Sequence, residues 1–95
     1  MIKVTVEFNG ESRLLTNEKK LNLMVKPGTT FREIIGILGN KYPALLGQVI
    51  NVDGKSLYGT NMLSLNGKHM IENDAMENSP DDGDRIIMMS ILAGG

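Results

Sequence analysis

The sequence lacks cysteine and tryptophan and has a single histidine among its 95 residues. Without cysteine the chain has no disulfide, no thiolate nucleophile and no cysteine-based zinc site. His69 cannot form a multi-histidine metal site alone, and we expect it to be an ordinary polar residue of a hairpin rather than a general base. With no glycine-rich phosphate loop either, we expect no bound metal or cofactor and no autonomous enzyme.

Strong charge and long apolar runs are also absent. The formal net charge is −1, and Lys19-Lys20 is the longest run of basic side chains, so we do not expect direct binding to nucleic acid. No apolar run approaches the roughly 20 residues of a membrane span, and the start of the chain does not read as a signal peptide. We expect a cytoplasmic protein whose residues 1–95 form one domain.

Alternating apolar residues predict two strands in the first third of the chain. Residues 2–8 and residues 21–25 each place an apolar side chain at every second position. Pro27-Gly28 ends the second strand. The stretch 9–20 between them is largely polar and predicts a loop.

A helix follows directly after this pair of strands. Thr30 and Glu33 form a capping box, in which each side chain satisfies a backbone N–H of the first turn. The next apolar residues recur at helical spacing and predict one buried stripe. The members of that stripe are Phe31, Ile34, Ile35 and Leu38. Pro43 predicts an end near Lys41.

The second half of the chain contains a clear hairpin signal. Two short apolar runs, 62–65 and 68–71, flank Asn66-Gly67, the sequence that favours a tight hairpin turn. Before it, residues 49–52 are an apolar run, and residues 53–61 are expected to be a loop. After it, residues 72–84 are polar and predict a solvated loop without the spacing of a calcium site.

The last apolar segment, residues 85–92, is apolar on both alternating sets of side chains. A strand of this kind is central in its sheet, or has one face under a helix and the other under a partner. Central placement pairs it with residues 2–8, and a parallel pairing is possible because nearly the whole chain connects the two. The predicted fold is α+β, a mixed sheet of four to five strands with one main helix packed on one face.

The sequence stops at Gly94-Gly95. A terminal glycine pair presents a carboxylate on a tail without Cβ atoms, which can enter a narrow slot on another protein. A frayed chain end is the plainer interpretation, since termini are commonly disordered. We expect residues 92–95 to be a flexible tail, and four extended residues span at most about 14 Å.

Three features together resemble the MoaD and ThiS family of ubiquitin-like sulfur carriers and the ubiquitin-related modifiers close to it. The first is the order of strands and helix, with residues 27–30 leading into the helix. The second is the segment 65–68 around Asn66-Gly67, and the third is Asp82-Gly83-Asp84 followed by an apolar strand and the glycine pair. The resemblance implies the β-grasp, or ubiquitin-like, fold.

The resemblance also implies a role for the tail. In this family a partner adenylating enzyme of the ubiquitin-activating type uses ATP to activate the terminal carboxylate, and sulfur then replaces AMP to give a thiocarboxylate. Gly95 would be the reacting residue, and Gly94, Ala93 and Leu92 would give access to the partner's site. One alternating set of the final strand would be the docking surface. The candidate partner-binding residues are Met88, Met89, Ser90 and Ile91.

The family has several branches, and the sequence leaves the choice among them open. The first reading is the small subunit of molybdopterin synthase, with the large subunit as a further partner. However, Ser90 and Ile91 stand where that branch has proline, and the end of the chain is closer to the modifier that serves tRNA thiolation. The alternatives are therefore a tRNA-thiolation carrier or ubiquitin-like protein modifier, and a β-grasp binding module without terminal chemistry.

Overall fold

The computed structural model describes residues 1–90, which form a five-stranded sheet with helices. The strands are β1 (Ile2–Phe8), β2 (Lys20–Val25), β3 (Asn61–Leu65), β4 (His69–Ile71) and β5 (Arg85–Ser90). Their order across the sheet is β2-β1-β5-β3-β4. β5 is parallel to β1 and antiparallel to β3, so the predicted central position and parallel pairing of the last strand are confirmed.

Two helices accompany the sheet, α1 (Glu11–Thr16) and the longer α2 (Phe31–Lys41). The core lies between α2 and one face of the sheet. Its side chains come from alternate positions of β1 and β5 and from the predicted stripe of α2, as the pleat of a strand and the pitch of a helix require. Among them are Val4, Val6, Phe8, Phe31, Ile34, Ile35, Leu38, Ile86 and Met88, none more than 3% exposed. The predicted α+β sheet with a main helix on one face is confirmed.

α2 begins where the capping box predicts. The Glu33 N–H donates to the Thr30 hydroxyl oxygen at 3.1 Å, and the Thr30 N–H donates to the Glu33 carboxylate at 3.0 Å. The carbonyls of Met76 and Asn78 accept further N–H groups of the first turn, from Arg32 and Phe31. No helix within residues 1–90 is long and apolar enough to cross a membrane.

α1 corrects the prediction of a loop over residues 9–20. It is only six residues long, too short to show a helical period, and its pattern is inverted: Leu14 is 83% exposed and Ser12 is 1% exposed. The buried hydroxyl of Ser12 is satisfied locally, because it donates to the Asn9 carbonyl at 3.0 Å. The helix ends at Asn17, which has the left-handed φ of 56°.

Two further segments add to the core without being regular strands. Val49 and Ile50 are fully buried, and Ile50 makes only isolated bridges, to Leu46 and Leu57. The polar stretch 72–84, predicted as a solvated loop, buries Met76 to 3% exposure. Both segments therefore add side chains to the core without extending the sheet.

The capping box gives the first testable prediction. Thr30→Ala removes the side chain that accepts from the first turn of α2, and we expect the free energy of unfolding to fall by about 1 kcal/mol. Thr30→Ser keeps the hydroxyl and is the matched control. Urea unfolding measures both. Equal stability of the Ala and Ser variants would contradict a stabilising role for this cap.

Candidate functional site

The turn Asp82-Gly83-Asp84 fixes the start of β5 against β1. The Lys3 N–H donates to the Asp82 carboxylate at 2.8 Å, and the Gly83 N–H donates to the Lys3 carbonyl at 2.8 Å. The Thr5 N–H donates to the Asp84 carbonyl at 3.0 Å. Gly83 has a φ of 88°, a backbone conformation that glycine adopts without a steric penalty. The turn therefore sets the register in which β5 enters the sheet.

The hairpin between β3 and β4 is hydrogen-bonded to the turn Asp82-Gly83-Asp84 and to the first residue of β5. Asn66, with φ of 57°, and Gly67 form the predicted Asn-Gly turn. The Asn66 side-chain amide donates to the Asp84 carboxylate at 3.0 Å, while its carbonyl oxygen accepts from the Arg85 N–H at 2.8 Å. The two short motifs that carried the family resemblance are thus one hydrogen-bonded unit, although 14 residues lie between Gly67 and Asp82 in the sequence.

The face of the sheet opposite α2 carries an apolar patch on β3, β4 and β5. We call it the open-face patch. It consists of Met62, Ser64, Met70, Ile87 and Met89. Its members are next to one another because Met62 is paired with Met89 and Ser64 with Ile87. A depression of about 270 Å³ runs along it, lined in part by Ser64, Met70 and Met89.

Of the candidate partner-binding residues, Met89 lies in the open-face patch and is partly exposed. Met88 corrects the prediction: it points to the other face, is 0% exposed and belongs to the core, so it cannot form part of a docking surface. The reason is register, because Met88 pairs with Phe8 in the layer under α2. Ser90 is partly exposed at the end of β5. Residues 91–95, including Ile91 and the predicted tail and reacting residue, lie outside the described residues.

The other half of the open face is polar. Arg85 donates to the Glu7 carboxylate through two nitrogens, at 2.6 and 3.1 Å. These hydrogen bonds hold the pKa of the Glu7 carboxyl below its ordinary value of 4.5, and attraction by Arg85 and Lys20 adds to the effect against an opposing contribution from burial. The ion pair therefore borders the apolar patch with a fixed pair of charges.

α1 lies beside the end of β5, a neighbour that the sequence did not indicate. The Asn9 N–H donates to the Met88 carbonyl at 2.9 Å, and a Cβ placed on Gly10 would lie 3.2 Å from the Ser90 hydroxyl oxygen. Leu14 is exposed on the same short helix. The end of β5 is therefore bordered by α1 as well as by the open-face patch.

A family model for the ThiS family matches residues 6–95. The chain belongs to the ThiS family. This match covers nearly the whole sequence and confirms the resemblance that the Asn-Gly and Asp-Gly-Asp motifs indicated. A comparison with curated protein sequences finds no match.

Solved structures similar to this ThiS-family chain have the same ubiquitin-like β-grasp fold. SAMP1 from Haloferax volcanii matches with a TM-score of 0.80 and 18% identity, over 98% of this chain and 99% of that chain. Urm1 from Trypanosoma brucei matches with a TM-score of 0.71 and 23% identity, over 98% and 95%. A chain in the complex of subunits 1 and 2 of molybdopterin-converting factor from Helicobacter pylori matches with a TM-score of 0.64 and 22% identity, over 99% and 100%.

The lowered pKa of Glu7 predicts a stability effect with a defined pH range. A carboxyl group whose pKa is lower in the folded chain stabilises the fold above its unfolded pKa, and this contribution is lost as the pH falls through the folded value. We therefore expect the difference in unfolding free energy between wild type and Glu7→Gln to be full above pH 4.5 and to shrink below it. Because Arg85 is about half exposed, the difference should be modest.

Urea unfolding as a function of pH measures this difference. In an Arg85→Gln background the same Glu7→Gln change should lose most of its pH dependence, since the partner is gone. A difference that stays constant from neutral pH to pH 3 would contradict the assignment.

Proposed function

We propose that this protein is a sulfur carrier that is activated at its C-terminal glycine. Among the possible roles we favour the small subunit of a molybdopterin synthase. The observation that carries the proposal is the placement of β5. The strand is fixed in the centre of the sheet, contributes Ile87 and Met89 to the open-face patch, and shortly precedes Gly94-Gly95 in the sequence. Membership of the ThiS family supports the same reading.

The chemistry belongs to the carboxylate of Gly95. A carboxylate is a poor electrophile, so a partner enzyme transfers AMP from ATP to one oxygen and releases pyrophosphate. A reduced sulfur nucleophile then attacks the carbonyl carbon and AMP leaves, which gives the thiocarboxylate. The chain itself contributes the acyl group and access: Gly94 and Ala93 carry little or no side chain. ATP is bound by the partner, and this protein holds no cofactor in the scheme.

The docking surface in this scheme is the open-face patch. Met62, Met70 and Met89 bring three unbranched thioether side chains together, and such side chains repack easily against different partners. A carrier has to meet at least two partners, one that loads sulfur and one that receives it. The Glu7–Arg85 ion pair beside the patch supplies a polar border, as the rims of protein interfaces do.

The molybdopterin reading rests on the likeness to a complex of molybdopterin-converting factor subunits, and it makes the large subunit a second partner. A second candidate function is a ubiquitin-like modifier or a tRNA-thiolation carrier. The likeness to SAMP1 and to Urm1 favours it, with higher TM-scores. Both functions pass through the same acyl-adenylate at Gly95. They differ in the molecule that finally reacts with the adenylate or receives sulfur from the thiocarboxylate.

Intact-protein mass spectrometry tests the shared step. The protein is incubated with an adenylating enzyme of the ubiquitin-activating type, ATP and a sulfur donor, and we expect one terminal oxygen to be replaced by sulfur at Gly95. Deletion of Gly95, or addition of one residue after it, should abolish the exchange because the reacting carboxylate is displaced. Unchanged mass in the wild type, or equal function of the extended variant, would contradict the proposal and favour a β-grasp binding module.

The two neighbouring methionines of β5 give a matched test of the docking surface. Met89→Ala should change the free energy of unfolding by less than about 1 kcal/mol but weaken binding to the adenylating enzyme about tenfold. Met88→Ala removes a fully buried side chain and should cost about 2–5 kcal/mol of stability.

Urea unfolding and titration of the adenylating enzyme, both at a temperature where Met88→Ala is folded, separate the two effects. Wild-type affinity of Met89→Ala would show that the open-face patch is not the docking surface.

A further inference from the structure

β2 is the outermost strand on one side of the sheet, and its outer edge has free backbone groups. The Phe8 N–H donates to the Lys19 carbonyl at 2.9 Å, so these two residues are a hydrogen-bonded pair. Hydrogen-bonded and non-hydrogen-bonded pairs alternate along antiparallel strands, and Lys20, Asn22 and Met24 therefore belong to non-hydrogen-bonded pairs with β1. The N–H and C=O groups of Lys20, Asn22 and Met24 consequently point away from β1. No other strand within residues 1–90 pairs with this edge.

A shallow groove of about 480 Å³ runs between this edge and α2. Met24, Val25 and Ile37 contribute apolar side chains to its lining. Leu21 and Leu23 project from β2 toward the same side of the sheet as α2 and are only partly buried, as is Ile37. A strand added at this edge would lay alternate side chains over these partly buried residues, since successive side chains of a strand point to opposite faces.

Basic side chains surround the edge. Lys19 and Lys20 lie at its start, Lys26 follows its end, and Lys41 lies at the end of α2. The acidic neighbours are Glu7, which lies opposite Lys20 but accepts two hydrogen bonds from Arg85, Glu18, beside Lys19, and Glu33, whose carboxylate accepts from Thr30 in the capping box. β2 itself carries no acidic residue.

This charge distribution decides between two kinds of occupant. Pairing two copies of β2 edge to edge would bring like lysines together, and lysines on an edge strand are a known defence against such pairing. An extended segment with acidic side chains would bond to the free N–H and C=O groups of β2, and its carboxylates would be attracted by the lysines. Strand addition of this kind draws affinity from the main chain and specificity from alternate side chains.

We propose that the β2 edge and the adjoining groove bind an extended segment of a partner protein, apolar at alternate positions and acidic at its ends, as a sixth strand of the sheet. This site is separate from the open-face patch, which lies on β3, β4 and β5. The chain can therefore be held by one partner at β2 while another contacts the patch. The proposal does not depend on the chemistry of Gly95.

The probe is a synthetic peptide in which four valine or isoleucine residues alternate with uncharged polar residues and aspartates flank the run. It is titrated into the full-length, isotope-labelled protein and followed by nuclear magnetic resonance. Chemical-shift changes should centre on β2 and Ile37. Amide exchange with solvent should slow at least about tenfold at Lys20, Asn22 and Met24, whose N–H groups the peptide would engage. The neighbouring amides of Leu21 and Leu23 already bond to β1 and should change little.

Asn22→Pro tests the backbone contact. Its N–H faces the free edge, where proline is tolerated, so the ladder with β1 is retained while one donor for the peptide is lost. We expect Asn22→Pro to lose peptide binding and Asn22→Ala, the matched control, to keep it. Thiocarboxylate formation at Gly95 should proceed in both variants, which separates this proposal from the proposed function.

Charge reversal provides a second test that does not alter the backbone. The pair Lys20→Glu and Lys26→Glu should weaken the peptide about tenfold. The pair Lys55→Glu and Lys68→Glu changes net charge equally but lies away from β2, and it should leave binding unchanged.

Four outcomes would overturn the proposal: no binding at about 1 mM peptide, shift changes centred on the open-face patch, equal weakening by both charge pairs, or protection of the three amides in the free protein that disappears on dilution. The last result would show that a second copy occupies the edge.

Discussion

The hydrogen bonds around Asp84 and Asn66 determine how β5 enters the sheet between β1 and β3. One side of the unit bonds to the backbone of Lys3 and Thr5, and the other bonds through the Asn66 side chain to Asp84 and Arg85. A strand is sensitive to such an anchor, because a shift of one residue moves every side chain to the opposite face. The core, the open-face patch and the position of Ser90 at the end of β5 all depend on this register.

Because β5 is central, its two faces serve different purposes. Ile86 and Met88 complete the layer under α2, while Ile87 and Met89 face outward beside β3. Ile87 is only 7% exposed although it lies on the open face, where it is paired with Glu7 of β1 and Ser64 of β3. Met89 is partly exposed and is the residue of β5 that a partner would contact in the proposed function. The proposal thus places core packing and docking on opposite faces of one strand.

The two halves of the sheet suit different kinds of protein contact. The half with β3, β4 and β5 has apolar side chains and little charge, which suits a face-to-face interface. The half with β1 and β2 is bordered on its open face by the pair between Glu7 of β1 and Arg85 of β5. It has lysines along its outer edge, which suits a main-chain contact with an acidic strand. For the proposed sulfur carrier, surfaces that do not overlap would allow one partner to bind before another has left.

The sequence by itself determined the parts of the fold that depend on neighbours along the chain. The capping box at Thr30, the stripe of α2, the Asn66-Gly67 hairpin and the two-sided final strand are local patterns, and the structure has each of them. Only the tertiary structure showed α1, because a six-residue helix with its serine buried and its leucine exposed has no recognisable period. It also decided that Met88 is core and Met89 surface: in a strand apolar on both sides, the face that is covered depends on pairing with β1, about 80 residues away in the sequence, and long-range register leaves no trace in local periodicity.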